Sequence, residues 1–141
     1  MSTTPGIAQR LEVRTRAEPD ALPPVRRAVR EFAAVHAVTD VDAVALAVTE
    51  ATTNVVIHAY RDQDVGDVRV VACAEPGRLV LVVRDYGCGM RPRHDSPGMG
   101  VGLALIGHLA ERFDVEAPEG QGTRLRMHFT RATVTALPSE R

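Results

Sequence analysis

The sequence has no long apolar run, almost no net charge and only two cysteines, and each shortage excludes a class of protein. No stretch approaches the roughly 18 apolar residues that a membrane-spanning helix needs. The N-terminus shows neither an apolar signal core nor a cleavage pattern. We therefore expect a cytoplasmic protein that does not enter a membrane. A formal net charge of -1 provides no overall positive field, so composition gives no support for direct nucleic-acid binding.

The cysteines and histidines show no metal-binding pattern. Cys73 and Cys88 lie 15 residues apart, without the CxxC or Cys/His spacing of a zinc site or a redox pair. We expect both to be ordinary thiols. The histidines are scattered and predict no metal cluster; they are His36, His58, His94, His108 and His128.

Length and composition predict one globular domain. The chain has 141 residues, of which 45% are hydrophobic and 25% charged, and it contains no internal repeat or low-complexity linker. The two ends are small or polar without a periodic apolar face. We expect flexible tails over residues 1–10 and 132–141, with the domain between them over residues 11–131.

Hydrophobic periodicity predicts the element order βααββ, then a loop, then αββ. Alternating residues indicate strands, and apolar residues at steps of three and four indicate helices. Pro76-Gly77 separates two β-branched runs and predicts a hairpin. Helices before and after a mainly antiparallel sheet indicate an α+β fold, a two-layer sandwich. The predicted strands cover residues 11–17, 67–75, 78–85, 113–117 and 123–131. The predicted helices run from Pro19 to about His36, from Thr39 or Asp40 to about Tyr60, and from Val101 to about Arg112.

The second predicted helix carries a row of polar side chains. Glu50, Asn54 and His58 are spaced by four residues, so they lie on one face of the helix. A carboxylate and an amide in this relation suit phosphoryl transfer, because the amide oxygen can bind magnesium while the carboxylate orients or deprotonates a hydroxyl. A solvated helix face would give the same spacing.

A carboxylate also ends the second strand of the hairpin, where LVLVV runs into Arg84-Asp85 and then into Tyr86-Gly87-Cys88-Gly89. A carboxylate at the end of a buried strand needs a donor, and the exocyclic amine of adenine would be suitable. The glycines after it allow a close approach of backbone to a ligand. A plain turn between two elements is the alternative.

The remaining signals are glycine-rich segments. GMGVGL, residues 98–103, opens the last helix, where free backbone N–H groups and the helix dipole favour phosphate. The polar segment before it contains Arg91 and Arg93 and is typical of a mobile lid whose arginines either contact phosphate or remain solvated. GQGT, residues 120–123, places the hydroxyl of Thr123 at the start of a strand.

In this order and spacing, the segments EATTNVVIHAY, DYGCGM, GMGVGLALI and GQGT resemble the N, G1, G2 and G3 boxes of the GHKL ATPase superfamily. The HAY sequence and the short lid resemble the anti-sigma-factor serine kinases, the RsbW type, more than gyrase, the Hsp90 chaperones, MutL or sensor histidine kinases. The resemblance covers residues 11–131. It implies the Bergerat ATP-binding fold, with helices on one face of a mainly antiparallel sheet.

The resemblance implies a role for each residue of the site, with ATP and Mg²⁺ as cofactors. Asn54 matches the magnesium ligand, and Asp85, supported by Thr123, matches the residue that recognises adenine. Glu50 matches the catalytic acidic residue that activates the hydroxyl of a substrate serine. The other implied ATP-binding residues are His58, Gly87, Gly89, Met90, Gly98, Gly100, Val101, Gly102 and Leu103.

The same resemblance implies a partner-switching function. It predicts a homodimer that binds a sigma factor and phosphorylates a serine of a STAS-domain anti-anti-sigma factor. Pro24, followed by Arg26 and Arg27, stands where the family often has an arginine that contacts partners. Two alternatives remain open: a non-catalytic module that regulates a partner through ATP-dependent binding, and a stand-alone ATPase.

Overall fold

The five strands and three α-helices of the computed structural model follow one another in the predicted order. The structure describes residues 9–61, 63–87, 99–118 and 122–132. A short 3₁₀ turn, Pro19–Ala21, precedes the first helix, and a π-helical turn, Val55–Ala59, continues the second. The elements are β1 (Gln9–Arg16), α1 (Leu22–Val35), α2 (Val41–Asn54), β2 (Asp67–Glu75), β3 (Arg78–Asp85), α3 (Met99–Leu109), β4 (Arg112–Glu116) and β5 (Thr123–Thr130).

All five strands form one antiparallel sheet in the order β1-β2-β3-β5-β4. The hairpin predicted at Pro76-Gly77 joins β2 to β3, and Gly77 has a φ of 78°, which a residue without a Cβ adopts readily. β5 inserts between β3 and β4, so the last strand of the chain is central rather than at an edge. The helices cover one face, and the predicted α+β two-layer sandwich is confirmed.

The core lies between this sheet face and the helices. Alternate residues of the central strands point into it, as the two-residue period of a strand requires; Val70, Leu81 and Leu125 are completely buried. α1 and α2 face them with buried aliphatic side chains at steps of three and four residues, including Val29 and Val48. α2 also contacts α3 and is largely enclosed, which agrees with its small side chains.

The other face of the sheet, called the open face here because no helix of the described ranges covers it, is rich in arginine. The strand register aligns Arg14, Arg69, Arg84 and Arg124 in a row across β1, β2, β3 and β5. Carboxylates at the sheet edges pair with this row, among them Glu116 at 2.6 Å from Arg124. Counted over all five strands, the open face carries nine arginines and five acidic residues.

Local hydrogen bonds determine several element ends. Asp40, one of the two predicted N-caps, accepts a hydrogen bond from the Ala43 N–H at 3.0 Å and begins α2. α3 begins and ends earlier than predicted, and it ends early because the N–H of Glu111 bonds to the carbonyl of His128 in the sheet. β4 therefore begins at Arg112, one residue before its predicted start.

The boundaries with the predicted tails also differ slightly. Gln9 and Arg10 already pair with β2, and the N–H of Ala132 bonds to the carbonyl of Ala37 at 2.7 Å. The rest of both predicted tails, residues 1–8 and 133–141, lies outside the described residues. Within the described ranges, no helix has the length and apolar character that crossing a bilayer requires.

Candidate functional site

The second helix places Glu50 and Asn54 one turn apart but in different environments. Glu50 is half-buried, whereas Asn54 is buried, with 6% of its surface exposed. The side-chain N–H₂ of Asn54 is buried and has no hydrogen-bond partner among the described residues. A buried amide without a partner costs free energy unless a ligand completes it. Asn54 therefore has the properties of a ligand-binding residue, and Glu50 remains accessible beside it.

Asp85 and Thr123 lie together at the end of the central strands. β3 and β5 pair in a register that sets Asp85 directly opposite Thr123, and both residues are completely buried. One carboxylate oxygen of Asp85 accepts a hydrogen bond from the N–H of Gly87 at 3.0 Å. A carboxylate and a hydroxyl are thus brought together on the helix-covered face, as the resemblance implied.

Two glycines bring backbone close to this carboxylate. Gly122 has a φ of 81°, and a Cβ built there would lie 2.0 Å from the carbonyl oxygen of Asp85. A Cβ at Gly87 would lie 2.1 Å from the carbonyl oxygen of Ala59. Real side chains do not tolerate such distances, so both positions require glycine. Gly87 belongs to the predicted site, and Gly122 is the second glycine of the predicted GQGT segment.

The chain between Asn54 and the polar segment after it forms a π-helical turn rather than an α-helical one. π turns are rare and occur often at functional sites. His58 lies in this turn and is half-buried; burial, and then the charge of Arg61, lower the pKa of its imidazole. The neutral form is therefore favoured at pH 7. The sequence predicted that His58 would continue the row of Glu50 and Asn54 on one helix face. Because a π-helical turn contains more residues than an α-helical turn, the four-residue spacing no longer places His58 in line with Asn54.

Tyr60 is a residue of this region to which sequence reasoning gave no role. Its hydroxyl donates a hydrogen bond to the carbonyl of Asp67 at 2.5 Å and accepts one from the N–H of Tyr86 at 2.9 Å. It thereby joins the end of the second helix to the turn that follows Asp85. The signal available in the sequence was the aromatic side chain of the HAY segment, which we used only for the resemblance.

The glycine-rich segment GMGVGL, residues 98–103, overlaps the first turn of α3. This helix starts at Met99, so Gly100, Val101 and Gly102 lie in the turn whose N–H groups lack partners within the helix. Leu103 follows them and packs partly against the core. α3 contacts α2 along its length. The other predicted residues, Gly89, Met90, Arg91, Arg93 and Gly98, lie outside the described residues.

The described part of the site suits a nucleotide better than a metal ion alone. Nowhere in it do three or more His, Cys, Asp or Glu side chains form a group that could hold a metal. Its buried polar side chains are instead the amide of Asn54 and the pair of Asp85 and Thr123. Cys73 is a free thiol, as predicted, and Cys88 lies outside the described residues.

Sequence comparisons find relatives of this chain among anti-sigma factors and serine-protein kinases. The anti-sigma F factor of Clostridium acetobutylicum is 32% identical over 99 residues, which cover 62% of this chain and 68% of that protein. The anti-sigma F factor of Clostridium kluyveri is 34% identical over 92 residues, 57% of this chain and 64% of that protein. The serine-protein kinase RsbW of Bacillus thuringiensis is 28% identical over 110 residues, 67% of this chain and 68% of that protein.

A whole family matches most of the chain. The family described as the histidine kinase-like ATPase domain aligns with residues 15–129, which begin in β1 and end in β5. This range includes α2 with Glu50 and Asn54 and the buried pair of Asp85 and Thr123. The chain belongs to the family of histidine kinase-like ATPase domains.

Proposed function

We propose that this protein is an anti-sigma factor and protein serine kinase that uses Mg-ATP to phosphorylate a STAS-domain anti-anti-sigma factor. The observation that carries this proposal is the arrangement on α2, where accessible Glu50 lies one turn from buried Asn54. The names of the relatives, anti-sigma F factor and serine-protein kinase RsbW, support the same function.

In the proposed function, recognition of the nucleotide depends on Asp85. Its buried carboxylate accepts from the N–H of Gly87, and because a carboxylate can accept several hydrogen bonds, it can also accept one from the exocyclic amine of adenine. Guanine presents an oxygen at the corresponding position and would face the carboxylate unfavourably. Thr123 supports Asp85 from the neighbouring strand. ATP binding with a preference for adenine is therefore expected.

Transfer of the phosphoryl group depends on Glu50. Its carboxylate accepts the proton of the substrate serine hydroxyl while the serine oxygen forms a bond to the γ-phosphorus of ATP. The bond from that phosphorus to the β,γ-bridging oxygen breaks, and ADP leaves. Glu50 suits this role because it is accessible to a protein substrate yet fixed on a rigid helix.

Magnesium fits the chemistry of this donor set, with the side-chain oxygen of Asn54 as the residue that would hold it. When bound, Mg²⁺ supplies neutralisation of the phosphate charge that develops during transfer. The first turn of α3 would bind phosphate oxygens through the N–H groups of Gly100, Val101 and Gly102. Asn54 and this turn lie on contacting helices.

The proposed partners are a sigma factor and the STAS-domain substrate, which compete for the kinase in the cytoplasm, and a second copy of the chain in a homodimer. An anti-sigma factor with this function needs no contact with nucleic acid, in agreement with the net charge of -1.

The test is phosphotransfer from γ-labelled ATP to a purified STAS-domain anti-anti-sigma protein of the same organism. Glu50→Gln should reduce transfer by roughly 100-fold or more, because proton transfer to a positioned base typically contributes 10²–10⁴-fold. ATP affinity, measured by calorimetry with magnesium, should stay within about twofold of that of the native protein. Glu31→Gln, which changes an exposed glutamate on α1, is the matched control and should leave both quantities unchanged.

Three results would contradict the proposal in different ways. Absence of ATP binding by the native protein would remove the nucleotide site. Retained binding, together with a regulatory effect on the sigma factor that Glu50→Gln does not alter, would instead establish the non-catalytic module. Steady phosphate release without any protein substrate would point to the stand-alone ATPase.

A further inference from the structure

The hydroxyl of Tyr60 connects three parts of the chain. Tyr60 follows the π-helical turn, and its hydroxyl bonds to the carbonyl of Asp67 at the start of β2 and to the N–H of Tyr86 just after β3. The ring lies against Gly66, where a Cβ would stand 2.5 Å from ring atom Cε1. One side chain thus fixes the distance between the second helix and the ends of two strands.

The turn held in this way carries the carboxylate of the proposed adenine site. Tyr86 lies between Asp85 and Gly87, and the N–H of Gly87 bonds to the Asp85 carboxylate. The N–H groups of two consecutive residues are therefore both used to set this turn, one by Tyr60 and one by Asp85 itself. A shift of the Tyr86 backbone would necessarily move Asp85.

The hydroxyl, rather than the ring, is the essential part of this contact. A tyrosine hydroxyl can donate one hydrogen bond and accept another, and Tyr60 does both. Burial raises the pKa of this hydroxyl, and the charges of Asp85 and Asp67 add to the shift, although the hydrogen bond from Tyr86 opposes it. The proton needed for donation to Asp67 is therefore retained throughout the physiological range.

We propose that Tyr60 is a positioning residue for nucleotide selectivity, which holds the turn after β3 so that Asp85 can recognise adenine. This inference rests on the proposed ATP site, and it assigns to the HAY segment a physical role. Tyr60 acts through the N–H of Tyr86, next to Asp85, and not through a group assigned to phosphate binding. Its loss should therefore weaken recognition of the base and leave phosphate binding intact.

The test is Tyr60→Phe, which removes one oxygen atom and retains the ring. Calorimetry should show ATP affinity lowered by about tenfold, the typical effect of leaving buried polar groups without their hydrogen bond. GTP, measured as a competitor of ATP, does not use the adenine contact, so its affinity should change by less than about twofold. The preference for ATP over GTP should thus fall by about tenfold, whereas general loosening of the protein would weaken both nucleotides equally.

Thr52→Val is the matched control. Thr52 is a buried residue of α2 whose hydroxyl bonds to carbonyls of its own helix, those of Val48 at 2.7 Å and Thr49 at 3.2 Å. It should leave the ATP to GTP preference unchanged. Amide hydrogen exchange in nucleotide-free protein provides a second readout, in which Tyr60→Phe should speed exchange at Tyr86 by about tenfold.

Each contrary outcome has a distinct meaning. If the native protein binds ATP and Tyr60→Phe keeps the native preference for ATP over GTP, the positioning role is wrong and the proposed ATP site stands. Unchanged exchange at Tyr86 would likewise overturn the positioning role, independently of any nucleotide. If the native protein binds no ATP, the proposed function fails, and the selectivity role of Tyr60 fails with it.

Discussion

Asp85 and Thr123 are direct cross-strand partners, and neither side chain reaches solvent. Their neighbours in the same register, Arg84 and Arg124, point to the opposite face of the sheet. On each of the two strands, two consecutive residues therefore face opposite sides of the sheet: one faces the helices and the other faces the arginine row. Burial of a carboxylate costs free energy that a neutral side chain would not incur, which favours a ligand-binding role for Asp85 in addition to its hydrogen bond with Gly87.

Replacement of Asp85 by asparagine should impair ATP binding. Asparagine retains an oxygen that can accept from Gly87 but loses the negative charge that strengthens a hydrogen bond to the adenine amine. Hydrogen bonds to charged groups contribute about 1.5–3 kcal/mol, so affinity should fall by roughly 10- to 100-fold in calorimetry. Asp114→Asn, which removes a half-exposed charge paired with Arg112, is the control for net charge and should bind normally. Equal affinities of the two variants would contradict the adenine role.

Gly122 and Gly77 form a matched pair for stability. Both have positive φ, at 81° and 78°, but a Cβ at Gly77 meets nothing within 4 Å, whereas a Cβ at Gly122 meets Asp85. Gly77→Ala should lower the free energy of unfolding by about 1 kcal/mol through its conformation alone. Gly122→Ala should lower it by about 3 kcal/mol or more, because the backbone of Asp85 must also move. Urea unfolding measures both, and equal losses would show that the close contact is not maintained.

Stability should decrease in mildly acidic solution. Burial lowers the pKa of His36, His58 and His128 from their ordinary value of 6.5. Near and below that pH, the unfolded chain therefore binds more protons than the folded protein. The stability that comes from keeping these histidines neutral is complete above about pH 7, and it is lost as the pH falls through 6.5 towards the lower pKa values of the folded protein. Urea unfolding between pH 8 and 5.5 should show this slope. The triple variant with glutamine at these positions should be flatter, and an unchanged slope would contradict the assignment.

The N-cap of α2 offers a local test of the helix that carries Glu50 and Asn54. Asp40→Ala removes the hydrogen bond to Ala43 and should lower the free energy of unfolding by about 1 kcal/mol. Asp42→Ala, two residues later, removes an ion pair with Arg30 in which Asp42 is largely exposed, and should cost only about 0.3 kcal/mol. Thermal or urea unfolding distinguishes them, and a larger loss for Asp42 would show that the cap does not stabilise α2.

Much of the fold could be predicted because regular elements repeat their pattern locally. The alternation in β2 and β3 and the three- and four-residue steps of α1 and α2 are visible in the sequence and are confirmed. The end of α3 and the start of β4 lie one to three residues before their predicted positions, because the N–H of Glu111 bonds to His128 in β5, a strand that follows later in the chain. Such long-range contacts decide element ends and leave no local signal.

Several residues of the candidate site could be predicted from the sequence, but two features of its local structure could not. The resemblance identified Asn54, Asp85 and Thr123, and the structure brings Asp85 and Thr123 together and buries the amide of Asn54. The π-helical turn at Val55–Ala59 was not visible, since one residue more per turn barely disturbs an apolar pattern that is already continuous. The bridge made by Tyr60 was missed for a further reason: its partners are backbone groups of Asp67 and Tyr86, which any residue could supply.

The open arginine face gives the molecule a strong charge asymmetry despite its small net charge. Its nine arginines and five acidic residues sum to +4, so the remainder of a chain with a net charge of -1 carries -5. The protein is thus an electric dipole, and a charged partner approaching it experiences a torque as well as an attraction. Such steering extends over about one Debye length, roughly 8 Å at physiological ionic strength, and association rates should therefore decline with added salt even though the protein is nearly neutral.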